Sequence, residues 1–115
     1  MKKIKSIKQN SRFARLYKKG KSFVSPCLVC YIRKLPYDEV MLGLTVSKKI
    51  GGAVARNRAK RVLRAAAREA VQRGLCSCEL LLVARGKTPF IKSTRAAAEL
   101  IEILEKNGFL KPREK

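Results

Sequence analysis

The stretch AVARNRAKRVLRAAARE, residues 53 to 69, sets six arginines or lysines into seventeen positions and holds no acid before Glu69. At 100° per residue Ala55, Ala59, Val62, Leu63, Ala66 and Ala70 fall on one apolar face, which predicts an amphipathic helix lying on a core. Asn57, Lys60, Arg61, Arg64 and Arg68 form a second stripe almost opposite, flanked by Arg56 and Arg58. A solvated helix usually sets an acid one turn from each cation; this stripe has none, so its self-repulsion is left standing. Arginine outnumbers lysine in it, as bidentate phosphate recognition prefers. The stretch reads as a helix over roughly residues 54 to 73, stopped by Gly74, with one face for a core and one for a polyanion.

Working outward, KKIGGA is a tight glycine loop before the helix, and VMLGLTVS before it alternates Leu42, Leu44 and Val46 with the small Gly43, Thr45 and Ser47, a strand pattern. SFVSPCLVCYIRKL reads as a short strand, a break at Pro26, then a longer strand in which Leu28, Cys30 and Ile32 alternate with Val29, Tyr31 and Arg33. Three successive strands predict a meander. Downstream, ELLLVAR suits a strand buried on both faces, and STRAAAELIEILEKNG a helix capped by Ser93 or Thr94 and closed by Asn107 and Gly108. NSRFARLYKKG predicts a short helix capped by Asn10 or Ser11, with Phe13, Leu16 and Tyr17 on one stripe and Gly20 as the stop. The first nine residues, MKKIKSIKQ, carry no pattern and are expected to be a mobile basic N-terminus; residues 109–115 read as a basic C-terminal tail. The order helix, strands, helix, strand, helix predicts an α+β sandwich, one domain over residues 1–115.

Twenty-eight Lys and Arg against eight Asp and Glu give a net charge of +20. The excess is regional: residues 1 to 37 carry eleven cations and no acid, and residues 48 to 68 carry eight more. Such a chain favours a polyanionic partner, nucleic acid by default. With 46% apolar residues it has enough material for a core. No apolar run approaches the ~20 residues of a membrane span, and the basic start lacks a following apolar stretch, so a cytoplasmic protein with no membrane partner is expected.

Histidine is absent, the acids show no metal-site spacing, and KIGGAVARNR lacks the pattern of a P-loop. No catalytic residue, no protein metal site and no small-molecule substrate are expected; if chemistry occurs, a partner supplies it. Four cysteines invite a zinc reading, but Cys27 and Cys30 fall in a strand-like run, where an odd separation sends side chains to opposite faces. Together with Cys76 and Cys78 they read as free, small buried hydrophobes. Phe13, Tyr17 and Tyr31, with Arg33 beside the last, offer a surface on which single-stranded bases stack, a mode commoner with RNA than with duplex DNA. They also suit a core role. A structural RNA-binding protein, such as a ribosomal protein, would share charge, size and aromatics. A helix-turn-helix DNA binder fits less well, because strands stand where its short second helix belongs.

TVSKKIGGAVARNRAKRVLR, residues 45 to 64, separates these readings. It resembles the protein subunit of bacterial ribonuclease P, and ARNRAKRVLR is similar to that family's RNR motif. The resemblance spans nearly the whole chain: the basic start, Phe13, Tyr17 and Gly20 in an F-x-x-x-Y-x-x-G pattern, the basic helix, and LLLVAR at residues 80 to 85. It implies the order αβββαβα, helices packed on a small mixed sheet, with a left-handed βαβ crossover against the general rule of handedness. It implies an RNA-binding subunit of an endoribonuclease whose catalytic centre is RNA, removing the 5′ leader of precursor tRNA with Mg2+ held chiefly by the RNA subunit. On that resemblance Lys48, Lys49, Arg56, Asn57, Arg58, Lys60, Arg61, Arg64 and Arg68 contact the ribonuclease P RNA. Phe13, Tyr17, Tyr31 and Arg33 meet the precursor tRNA leader. The chain departs from the family's pattern at Gly52, where Asn or Lys is frequent, and at Ala67, where an aromatic is common.

Overall fold

The run CELLLVA becomes the strand on which the rest of the molecule is assembled. In the computed structural model, which describes residues 4–7 and 10–110, the elements run β1 (Ile4–Ser6), α1 (Asn10–Lys19), β2 (Lys21–Val24), β3 (Leu28–Lys34), β4 (Val40–Thr45), α2 (Ala53–Gln72), β5 (Cys78–Ala84) and α3 (Ser93–Lys106). Side chains of residues 10–12, on which the expected Asn10 or Ser11 cap depends, lie outside the described set. The sheet order is β1-β4-β5-β3-β2. Residues 78 to 82 are all buried, as a central strand covered on both faces requires.

Two expectations about the sheet need correction. β3 and β4 are not neighbours: β5 lies between them, antiparallel to β3 (Tyr31 opposite Leu81) and parallel to β4 (Leu44 opposite Leu82). Only β2 and β3 form a hairpin pair. The most apolar strand takes the centre, and the connection between parallel β4 and β5 runs through α2, the crossover unit. Nor is the start of the chain patternless. Ile4–Ser6 pairs in parallel with Val40–Leu42, and the Ile7 amide donates to the Leu42 carbonyl at 2.9 Å. A three-residue strand is too short to leave a periodicity in the sequence.

The alternation of β3 separates two cores. Leu28, Cys30 and Ile32 join Leu80, Leu82, α2 and α3 in the larger cluster; Tyr31 and Val83 pack with Phe13 and Met41 around Leu16, Leu81 and Ile7 in the smaller. Helices therefore cover both sides of the sheet, α2 and α3 on one and α1 on the other. Of the apolar face expected on α2, Ala59, Val62, Leu63, Ala66 and Ala70 are buried, joined by Ala67 and Val71. Alanines Ala96 and Ala97 of α3 enter the same cluster, and small residues let helices approach closely. Ala67, where the resemblance leads one to expect an aromatic, is only 1% exposed and belongs to this packing.

Both long helices end in the same way. Gly74 and Gly108 take φ of +97° and +82°, and the amides of Leu75 and Phe109 donate back to the carbonyls of Ala70 and Leu104 at 3.1 and 3.0 Å. This double-backed ending turns the next residue inward. Phe109 and Leu110 are consequently buried, so the expected tail from residue 109 does not begin there; residues 111–115 lie outside the described set. At the other end of α3 the flanking residue is Lys92, with no side-chain cap; Ser93 is already the first helical residue.

Candidate nucleic-acid interface

The α2 stripe is fully presented. Asn57, Arg58, Lys60, Arg61, Arg64 and Arg68 are exposed, and Lys48 and Lys49 are exposed in a single 3-10 turn, Lys48–Ile50, ahead of the helix. Among the described residues, none of the eight cations from Lys48 to Arg68 makes an ion pair. Five of the eight acids are engaged with other cations: Glu39 with Lys5, Glu79 with Arg33, Glu99 with Arg95, Glu102 with Lys106, Glu105 with Arg73.

The start of α2 adds to the same field. Gly52 precedes it with no side-chain cap, and its first turn holds no acid. The exposed amides and the positive end of the helix dipole therefore point the same way as Arg56, Arg58, Lys48 and Lys49, which is an anion-attracting arrangement. Arg56 is half-buried, and its Nε is buried without a partner among the described residues. An orphaned donor of this kind costs about 1–3 kcal/mol until something accepts its proton.

Where the stripe meets the sheet edge it acquires a groove. Lys60 and Arg64 line a cavity of about 240 Å³ together with Phe13, Gly43, Ser6 and Ile7. A second, of about 260 Å³, is shared by Ile4, Ser6, Arg64 and Arg68. Beyond Ser6 the pairing of β1 with β4 ends, and the Phe13 ring of α1 lies against Gly43 there. Ser6, Ile7 and Gly43 are site residues that sequence reasoning missed, the first two because β1 was unrecognised. Gly43 was noted only as small, and its smallness admits the Phe13 ring: a β-carbon there would lie 2.6 Å from ring carbon Cε1.

The expected aromatic set is brought together in part. Tyr17 and Tyr31 meet edge to face, ring centroids 4.7 Å apart at 75°, and Phe13 and Tyr31 lean on the same small core. Tyr17 keeps 46% of its surface, so its ring can still accept a stacked base. Arg33 differs. Its guanidinium reaches Glu79, directly opposite on β5, through Nη2 at 2.9 Å and Nε at 3.1 Å. Glu79 is only 1% exposed, so Arg33 is committed to a buried carboxylate.

The cysteines are free, but the strand argument about them is corrected. Cys27 lies in the bend before β3, and its thiol donates to Glu99 of α3 at 2.7 Å. Cys30 also faces the α2 and α3 layer. Cys76 is half-buried rather than buried. Burial first, then the hydrogen bond to Glu99, raises the Cys27 thiol above its usual range. The Glu99 carboxyl is lowered: burial works against this, but hydrogen bonds from Cys27, Ser25 and Arg95 outweigh it.

No group of three or more His, Cys, Asp or Glu able to hold a metal is found among the described residues. No helix among those residues is long and apolar enough to cross a membrane.

A family model described as Ribonuclease P matches residues 1–108. The ribonuclease P protein component of Shouchella clausii is 35% identical over 113 residues, covering 97% of this chain and 93% of that protein. That of Oceanobacillus iheyensis is 39% identical over 112 residues, covering 96% and 93%. Among solved structures, the RNase P protein of Staphylococcus aureus superposes with a TM-score of 0.79 at 29% identity, over 95% of this chain and all of that one.

Proposed function

This chain belongs to the ribonuclease P protein family, and we propose that it holds the catalytic RNA with its α2 stripe and the single-stranded 5′ leader of precursor tRNA with its aromatic groove. As a protein component of ribonuclease P it is part of an endoribonuclease complex that serves tRNA processing. The observation that carries the finer reading is one groove: Lys60 and Arg64 share it with Phe13. Phosphate and base binding are thereby offered side by side, as single-strand recognition needs. Arg56, Asn57, Arg58, Arg61 and Arg68, with Lys48 and Lys49, extend the phosphate-binding surface towards the RNA subunit. Tyr17 and Tyr31 extend the stacking surface.

Mg2+, on this reading, would be held chiefly by the RNA, where it would supply the activation of a water for hydrolysis of the leader bond. The chain's own residues bind and orient. Arg and Lys neutralise phosphates that would otherwise repel one another, which raises the affinity of the RNA for both substrate and metal. On this reading the complex works in the cytoplasm, with ribonuclease P RNA and precursor tRNA as partners. Reconstitution tests this: the protein is added to its bacterium's ribonuclease P RNA at low Mg2+ and physiological salt, and 5′ cleavage of precursor tRNA is followed. Stimulation over RNA alone is expected, and its absence rules the reading out.

A further inference from the structure

A second concentration of cations stands at the opposite edge of the sheet. Lys19 from the end of α1, Lys21 from the start of β2, and Arg33 and Lys34 from the end of β3 line a cavity of about 340 Å³ with Ile32 and Phe109. Sequence order conceals it, because the residues come from three elements and Phe109 reaches it only through the turn that closes α3. In the strand order β1-β4-β5-β3-β2 the strands that line it, β3 and β2, lie two and three strand spacings from β4, which lines the groove beside α2, roughly 10–14 Å across the sheet.

Its lining is strongly cationic. Arg33 is taken by Glu79, but Lys19, Lys21 and Lys34 are exposed, and among the described residues none of them makes an ion pair. Lys34 is nonetheless held in place: its Nζ sits 5.5 Å from the centroid of the Phe109 ring. A cation–π contact positions an ammonium group without neutralising it, so its charge remains available. The ring is itself fixed, set edge to face against Phe23 with centroids 6.3 Å apart. Lys19 occupies the last turn of α1, where the helix dipole favours one cation; it does not account for three converging. Phe109 is only 5% exposed, so it is a floor and a brace for Lys34, not a platform for a base.

We propose that this cavity is a second phosphate site, taking a backbone phosphodiester of RNA at the edge of the sheet remote from α2. The inference rests on the RNA-binding reading above and extends it by a second phosphate clamp at the other edge of the sheet. The phosphate comes either from the upstream part of the tRNA leader or from the RNA subunit, and the two sources are separable.

The test uses the reconstituted holoenzyme, wild type and a Lys19→Ala/Lys21→Ala/Lys34→Ala variant, with precursor tRNAs of short and long leader, alongside binding of each protein to the RNA subunit alone. Loss of one phosphate contact lowers the salt slope by about one and weakens binding about tenfold at 0.1 M salt, the deficit vanishing towards 1 M. A loss confined to the long-leader precursor assigns the phosphate to the leader; a loss in the RNA-subunit titration assigns it to that RNA. A triple Lys→Arg variant keeps the wild-type slope, and thermal melts of all three proteins coincide, which separates charge loss from misfolding. If wild type binds and the alanine variant matches it in every titration, the second site is refuted while the α2 reading stands. If wild type itself fails to bind RNA, both fall together.

Discussion

The ring of Phe13 lies so close over Gly43 that a β-carbon at residue 43 would fall 2.6 Å from Cε1 and 3.2 Å from Cζ. Phe13 is half-buried and also lines the groove with Lys60 and Arg64, so the missing side chain on β4 fixes where an aromatic of α1 stands beside cations of α2. Gly43→Ala must displace the ring, an overpacking change of about 1–3 kcal/mol in stability. Chemical denaturation is expected to show that loss. At a temperature where the variant is still folded, leader-bearing precursor is bound more weakly and the RNA subunit is bound as before.

Arg61 and Arg64 project from α2 with no acid to screen them. Replacing both with Ala lowers the dependence of log K on log salt by roughly one per lost phosphate contact in binding to the RNA subunit. A salt titration of wild type and variant reads this directly, and an unchanged slope means the stripe does not face RNA.

Tyr17 and Tyr31 touch each other, so their removal is expected to be coupled. Each Tyr→Ala change costs about 1–3 kcal/mol of affinity for leader-bearing precursor if its ring stacks on a base. Mature tRNA, which lacks the leader, is bound unchanged. The double variant loses less than the sum, because the edge-to-face contact is removed once. Equal losses on precursor and mature tRNA would instead mark the two rings as core.

Arg33 behaves otherwise. Glu79 is buried opposite it, and taking away one partner of a buried carboxylate costs stability, about 1–3 kcal/mol where further partners remain. Arg33→Ala is therefore expected to lower the unfolding midpoint and to leave the preference for leader-bearing over mature tRNA intact in the folded fraction. A selective loss of leader affinity would instead place Arg33 on the leader surface.

Cys30 gives the fold a marked alkaline weakness. Burial pushes its thiol from 9.0 up to about 12, so the unfolded chain releases a proton at a pH where the folded one still holds it. The stabilisation relative to unfolded thiolate is complete below pH about 9 and disappears as pH climbs through the folded value. Integrated over that window the loss is about 4 kcal/mol. Cys30→Ala starts less stable, having lost buried atoms, but its stability falls less steeply from pH 9 to 12. Urea unfolding across that range checks the crossing of the two curves.

Much of this was legible in residues 53 to 70 alone, because a helical period places each side chain by its number: the cations spaced from Lys60 to Arg68 are exposed and Ala59, Val62, Leu63, Ala66 and Ala70 buried. The central strand was legible for a similar reason, since a wholly apolar run needs cover on both faces. The sheet order was not, because insertion of β5 between β3 and β4 depends on contacts between residues about forty to fifty-five positions apart. β1 escaped because IKS has no room for an alternation. Phe109 and Leu110 escaped because a glycine stop marks where a helix ends and not where the chain then turns. The site inherits these limits: the phosphate stripe lies on one helix and could be read, whereas Gly43 under Phe13 and the Lys19, Lys21, Lys34 cluster arise only when separate elements meet.

The central claim is that the protein adds recognition of the leader to a complex whose RNA recognises the rest of the substrate. Its most direct measurement is the ratio of dissociation constants for mature tRNA and leader-bearing precursor at low Mg2+, with and without this protein on the RNA subunit. We expect the protein to raise that ratio, and Tyr17→Ala to return it towards the value of RNA alone. A ratio that is the same with and without the protein would contradict the account.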